Sequence, residues 1–360
     1  MPEPTPPLSE TDSVQGALGD MLNSLPPAID EAAAARLMRD HFGITGTAVP
    51  VACERDANFH IAAEDGTRFM LKISNPAEPE INTNFQTEAL LWLERRDPGL
   101  PVPKVRRTLD GESGFSQVLE DGRPSVIRAL TWLDGNPVAR VGVTPALRRD
   151  LARTLARLGI AFAGFDHPAS GHEILWDVKN ASRLRPLIAA LSEPALRRQL
   201  TAELDHFDQK VLPVLPTLRQ RVVHNDLNLH NAILDPANPD RITGIIDFGD
   251  MVKTALIIDL AVAASYHTQE PDALDAVCDM VRAYHQVLPL ERAELLVLRD
   301  LIVARLMTTV AITEGRAARY PQNAAYILRN NGPARMGLRL FATIPRDQVA
   351  AALLAACNME

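Results

Sequence analysis

One stretch of this chain carries residues of the types and spacing that phosphoryl transfer needs. From Val222 to Asp250 it reads VVHNDLNLHNAILD, PANPDR and ITGIIDFGD. The apolar runs at Val222–Val223, Ala232–Leu234 and Ile242–Ile246 are short and rich in β-branched residues. Broken by a Pro/Asn/Asp cluster, they predict strands joined by turns. Asp226, Asn231 and Asp247 then sit at strand ends or in a tight loop. One carboxylate, Asp226, is suited to orient an acceptor hydroxyl and take its proton. The second carboxylate, Asp247, and the amide oxygen of Asn231 suit Mg²⁺, a hard cation that prefers oxygen ligands. The competing readings are a hairpin whose polar residues only satisfy turn backbone, and a metal cluster of His224, Asp226 and His230. The second lacks the usual zinc spacings.

The spacing His-x-Asp-Leu-x-x-x-Asn at 224–231 is that of the protein-kinase catalytic loop, and Asp247-Phe248-Gly249 is the metal-binding tripeptide that follows such a loop. A nucleotide's phosphates also call for a cation. Lys72 lies among apolar neighbours in Phe69-Met70-Leu71-Lys72-Ile73, a setting that asks for a partner. Glu88, in the helix that follows, shares a face with Phe85 and Trp92, so a Lys72–Glu88 ion pair is expected. Backbone groups of Arg128 to Leu130 are expected to meet the nucleotide base. The first hairpin, CERDANFHI, has no glycine and cannot be a Gly-rich phosphate loop, which leaves Arg55 or Asn58 as candidates. Asp259 follows Asp247 closely and no Ala-Pro-Glu segment comes after it. There is no room for an activation loop, so the acceptor is expected to be a small molecule and the activity constitutive.

The elements that must position these residues follow from local signals. Asp30–His41 predicts a helix with Asp30 as N-cap and Gly43 as stop. Strands are predicted at Thr47–Cys53, Asn58–Ala63, Arg68–Ile73, Gln117–Glu120 and Val126–Leu130. A helix is expected to open on a capping box at Thr83–Gln86. Five strands and that one helix make a small antiparallel N-terminal lobe over 13–130. Beyond the connector LTWLDGNP, residues 131–360 are mainly helical, with helices at Pro145–Phe162, Glu193–Val211, Ala255–Thr268, Asp272–Val287, Leu290–Gly315, Ala324–Phe341 and Arg346–Ala356. The fold class is therefore α+β with two lobes.

Bulk properties bound the function. A chain of 360 residues with 46% apolar content fills two lobes, and a net charge of −8 argues against a nucleic-acid surface. Three dispersed cysteines suggest a reducing compartment and no disulfide framework. Residues 1–12, Pro-rich and acidic, read as a disordered tail and lack a secretory pattern. No apolar run reaches the roughly eighteen residues of a membrane span. The expectation is a cytoplasmic protein with no membrane partner; oligomeric state is left open.

Together these residues resemble the aminoglycoside phosphotransferase and choline kinase superfamily, the protein-kinase-like small-molecule kinases, from about residue 30 to about 343. The resemblance implies a bilobal kinase-like fold, Asp226 as catalytic base, Asn231 and Asp247 as Mg²⁺ ligands, and Lys72 on the phosphates. Asp250 and Asp259 match further family positions, Asp259 as a brace for the catalytic loop. Family loops often carry Gly where this chain has Asn225 and Pro where it has Leu229; neither departure removes a reacting group. ERDANF at 54–59, LKISNPAE at 71–78, LTWLDG at 130–135, FDHPA at 165–169 and Trp176-Asp177 look like the hydroxylysine kinase branch. That branch implies an amino alcohol or hydroxylated amino acid as acceptor, and GTP or ATP as donor. The alternatives are an aminoglycoside, homoserine or choline/ethanolamine kinase, and an inactive nucleotide-binding module. An acceptor carboxylate would want an arginine, Arg305 or Arg316; an ammonium would want Asp250 or Asp177.

Overall fold

The computed structural model describes residues 26–53, 55–120, 122–269 and 272–360. The tail expected over 1–12 lies outside them, as does Glu54. The described residues divide into two units: those up to Glu94 with Pro103–Leu133, and Arg95–Val102 with Asp134–Glu360. The connector thus leaves the first unit after Leu133, where the sequence predicted a boundary at 130. The fold is α+β, an antiparallel sheet in the N-terminal region and a mostly helical remainder. None of the described helices is long and apolar enough to cross a membrane.

In the first unit, α1 (Glu31–Phe42) starts where Asp30 Oδ1 accepts from Ala33 N at 2.7 Å. It stops at Gly43, whose φ of 67° is left-handed and lets the chain close back on Arg39. The strands β1 (Gly46–Val51), β2 (Ala57–Ala63) and β3 (Arg68–Ile73) follow, then α2 (Glu80–Arg96), β4 (Val105–Arg106), β5 (Phe115–Val118) and β6 (Pro124–Thr131). The sheet runs β1-β2-β3-β6-β4, with β5 also on β6. Alternate residues Phe59, Ile61, Leu71, Ile73, Ile127 and Ala129 form one apolar face. Ala34, Leu37, Met38 and Phe42 of α1 cover it. Among its described residues the lobe therefore has two helices and six strands, where one helix and five strands were expected. The apolar stripe of α1 needed a surface, and this sheet supplies it.

A second correction concerns the capping box. α2 begins at Glu80, three residues before Thr83. Pro79 sits just outside the helix and its carbonyl accepts from Asn82 N at 2.9 Å, so the first turn forms there. Thr83 is thereby buried inside the helix, where its carbonyl accepts from Thr87 Oγ1 at 3.0 Å.

The second unit contains β7 (Asn136–Pro137), α3 (Pro145–Ala161), α4 (Pro194–His206), β8 (Gln220–Val223), β9 (Ala232–Asp235), β10 (Asn238–Ile245) and β11 (Val252–Ala255). Then come α5 (Ile257–Ser265), α6 (Ala273–His285), α7 (Arg292–Arg319), α8 (Asn331–Thr343) and α9 (Arg346–Ala356). Strands β10-β9-β7 form one small sheet and β11-β8 another. α7 is the central helix, buried from Leu301 to Thr313 and packed by α5, α8 and α9. The single helix expected over Ala324–Phe341 is broken, and α8 restarts at Asn331. Pro333 has no N–H and its ring would clash with a helical carbonyl four residues back, so it is tolerated only in a first turn. Gly135, the last residue of LTWLDG, has φ 137°, and a Cβ there would collide with the Leu234 carbonyl oxygen on β9. Only glycine lets the chain pass β9 so closely.

Candidate active site

The loop 224–231 leaves β8 and returns as β9, and three interactions fix its shape. Asp259, in the first turn of α5, accepts Asn225 N at 2.8 Å and His224 N at 3.3 Å, one on each oxygen. Burial pushes its carboxyl up, against the pull of His224 and of these two donors. His224 is buried edge-on to the Phe248 ring, centroids 4.8 Å apart. Its Nε2 lies 3.0 Å from Ile246 O, and its Nδ1 accepts from Asp226 N at 3.3 Å. A proton on Nε2 satisfies both contacts. Asn225 has a left-handed φ of 64°, where Asn is among the better-tolerated non-glycine residues, and its Nδ2 donates to Asp250 O at 3.2 Å.

This scaffold presents the Asp226 carboxylate with both oxygens engaged. Oδ1 accepts from Arg305 Nη2 at 2.7 Å. Oδ2 accepts from Asn228 Nδ2 and Asn231 Nδ2, each at 2.9 Å. Twenty per cent of the side chain stays exposed, so one side is open to a reactant. Burial raises its pKa to about 6, Arg305 pulling it down and the Asp247 charge pushing it up. A carboxylate that is to take a proton must be ionised, so with Asp226 in that role acceptor-dependent kcat/KM should rise with pH and level off above its pKa. A divalent cation beside Asn231 and Asp247 adds positive charge, which places that limb at or below about 6. A pH–rate profile in the presence of Mg²⁺ checks this; a limb near neutrality would contradict it.

Asn231 and Asp247 fit a magnesium ion. With Asn231 Nδ2 directed at Asp226, its Oδ1 is left without a hydrogen-bond partner among the described residues. Asp247 is exposed, has left-handed φ 66° after β10, and lies near enough for its charge to act on Asp226. Mg²⁺ is commonly held by one or two protein oxygens, with water and phosphate completing the shell. The described residues contain no cluster of three or more His, Cys, Asp or Glu able to hold a metal by themselves, which removes the His224/Asp226/His230 reading.

Among the nucleotide candidates of the first unit, the expected Lys72–Glu88 pair does not form among the described residues. Arg128 takes the bracing role instead. It faces Lys72 across the β3–β6 ladder and is 3% exposed. Its Nη1 donates to Thr83 O at 3.1 Å and Thr87 Oγ1 at 3.0 Å, and Nη2 to Gln86 Oε1 at 2.8 Å. A planar fork serves several acceptors at once where an ammonium cannot. Glu88 is turned about 100° from Thr87 around the helix, away from that contact. Burial lowers Arg128 to about 10, against the charges of Asp56 and Glu78. Arg128 and Leu130 were expected to meet the base through their backbone. Both lie inside the ladder, Leu130 between Met70 and Val105. The glycine-free first hairpin is tied down by Asn75, whose N–H donates to Asp56 Oδ1 at 3.0 Å and whose Nδ2 donates to Arg55 O at 2.8 Å. The stretches ERDANF and LKISNPAE thus meet in space.

Of the four acceptor candidates, Asp250 and Arg305 gather at Asp226. Asp250 is half-buried and its charge acts on Arg305 and Tyr266. Arg305, 2% exposed, is held by Trp176 O at 3.2 Å, by Tyr266 Oη at 3.2 Å, and by the Trp176 ring 5.1 Å away. Its expected partner was an acceptor carboxylate; its partner is Asp226. Asp177 is engaged elsewhere. It is fully buried, pairs with Lys179 Nζ at 2.9 Å and accepts from Thr254 Oγ1 at 3.3 Å. Burial raises its pKa, with Lys179 opposing. Asn228 and Tyr266 were not anticipated; an asparagine in a turn and a tyrosine at a helix end carry no distinctive signal.

A family model described as the phosphotransferase enzyme family matches residues 47–299. The hydroxylysine kinase of Danio rerio is 27% identical over 311 residues, covering 83% of this chain and 86% of its own. A microcompartment-associated aminopropanol kinase shares the fold with a TM-score of 0.70 at 18% identity, over 91% of this chain and 100% of that one. Amicoumacin kinase hAmiN, in complex with AMP-PNP and Ca²⁺, has a TM-score of 0.62 at 15% identity, over 94% and 96%. On the extent of the family match, this chain belongs to the phosphotransferase enzyme family.

Proposed function

We propose that the chain is a small-molecule kinase, similar to hydroxylysine kinase, that transfers the terminal phosphoryl group of GTP or ATP to the hydroxyl of an amino alcohol or hydroxylated amino acid. The observation that carries this is the Asp226 carboxylate. It is held on both oxygens yet open on one side, next to the oxygen donors of Asn231 and Asp247. Asp226 orients the hydroxyl and takes its proton. Asn231 Oδ1 and Asp247 would hold Mg²⁺, which when bound neutralises charge on the phosphates. Lys72 is the proposed phosphate ligand. For an acceptor with an ammonium near its hydroxyl, the proposed partner is the Asp250 carboxylate, whose charge acts on Arg305. Catalysis is then mainly positioning and charge neutralisation.

The test is nucleoside diphosphate release from ATP and from GTP against hydroxylysine, ethanolamine, choline, homoserine and an aminoglycoside. Hydroxylysine should exceed the others in kcat/KM by at least about ten-fold, a difference of about 1.4 kcal/mol in transition-state binding. A preference for choline or the aminoglycoside would reject the acceptor class. Nucleotide binding with no turnover on any acceptor would reject the kinase reading.

A further inference from the structure

We infer that Asn228 and Arg305 are positioning residues that clamp the Asp226 carboxylate from its two sides and leave Oδ1 as the atom that receives the acceptor's proton. The inference rests on the kinase reading above. An ionised carboxylate offers about four lone-pair positions, two on each oxygen. On Oδ2 both are used, by Asn228 Nδ2 and Asn231 Nδ2 at 2.9 Å each. On Oδ1 one is used, by Arg305 Nη2 at 2.7 Å. The remaining position is on Oδ1, and part of the side chain is open to solvent. The acceptor O–H donates there. Its oxygen then bonds the γ-phosphorus and its proton passes to Oδ1. The bond from phosphorus to the bridging oxygen breaks, its electron pair leaving on the nucleoside diphosphate.

Both clamps are themselves fixed. Asn228 Oδ1 accepts His230 N at 2.8 Å and Asn231 N at 3.2 Å. Flipping its amide would set an NH₂ against two N–H donors and an oxygen against the carboxylate, so Nδ2 must face Asp226. Arg305 is held by the Trp176 carbonyl, the Trp176 ring and Tyr266 Oη, on the rigid helix α7. Without these supports the carboxylate could turn about its last bond and exchange its oxygens. A reacting group misplaced by about 1 Å costs on the order of 10²-fold.

The test compares Asn228→Asp and Arg305→Lys, each alone and each combined with Asp226→Asn. Asn228→Asp keeps the acceptor for His230 and Asn231 but replaces the Nδ2 donor by an oxygen that repels Oδ2. Arg305→Lys keeps the charge but cannot reproduce the fork, and serves if the first variant does not fold. Each should lower kcat by about 10- to 10²-fold, with acceptor KM and nucleotide Kd within about two-fold. In the Asp226→Asn background each should cost almost nothing more, because the group being positioned is gone. Unchanged kcat, a loss carried by KM or Kd, or a full loss repeated in the Asp226→Asn background would overturn the inference. A wild-type protein with no acceptor-dependent turnover would reject the kinase reading itself and the inference with it, a result distinct from these.

Discussion

Replacing Asp226 by Asn should lower acceptor-dependent kcat by about 10²- to 10⁴-fold, the usual weight of a positioned general base. Two effects combine. The amide cannot take the hydroxyl's proton at neutral pH. It also cannot accept on both sides, although Arg305 faces one oxygen and the amides of Asn228 and Asn231 face the other. Whichever way the new amide turns, its NH₂ meets a donor. Nucleotide affinity should change little, because the proposed phosphate and metal donors are other residues. Steady-state kinetics with nucleotide binding measured in parallel separates these outcomes. A variant with wild-type turnover would remove Asp226 from the mechanism.

The second large effect is expected at a residue that touches no reactant. Asp259→Ala strands the buried N–H groups of His224 and Asn225, and each unsatisfied donor costs about 1–3 kcal/mol. The folded state should lose on the order of 3 kcal/mol in denaturant titration. The surviving folded protein should also lose about 10²-fold in kcat, since Asp226 follows directly on the released segment. Asp259→Asn keeps one acceptor oxygen and should recover part of both losses. If Asp259→Ala were as stable and active as the parent, the brace would not be what shapes this loop.

The shape of the loop 224–231 was legible because its signals are local. Short apolar runs stop at His224 and resume at Ala232, and the polar residues between them have a fixed spacing. The caps of α1 were legible for the same reason. What failed was long-range. Lys72 and Arg128 are both cations in apolar strands. Which of them braces α2 depends on the β3–β6 register and on the face that Thr83, Gln86 and Thr87 present. Arg305, on an apolar helix, plainly needed an acid. Its acid is Asp226, 79 residues away, and nothing local announces that pairing. Asp177 looked like a free acid in a promising motif, yet Lys179, two residues on, already pairs with it. Asn228 has the sequence signal of an ordinary turn residue, yet its amide closes the loop and holds the Asp226 carboxylate.

The most direct test is ³¹P NMR of the wild-type protein with hydroxylysine, Mg²⁺ and ATP or GTP. A phosphomonoester resonance should grow in step with the nucleoside diphosphate, one for one, and should be nearly absent with Asp226→Asn. Nucleotide consumed only to inorganic phosphate, or the same phosphomonoester formed at the same rate by Asp226→Asn, would contradict the account.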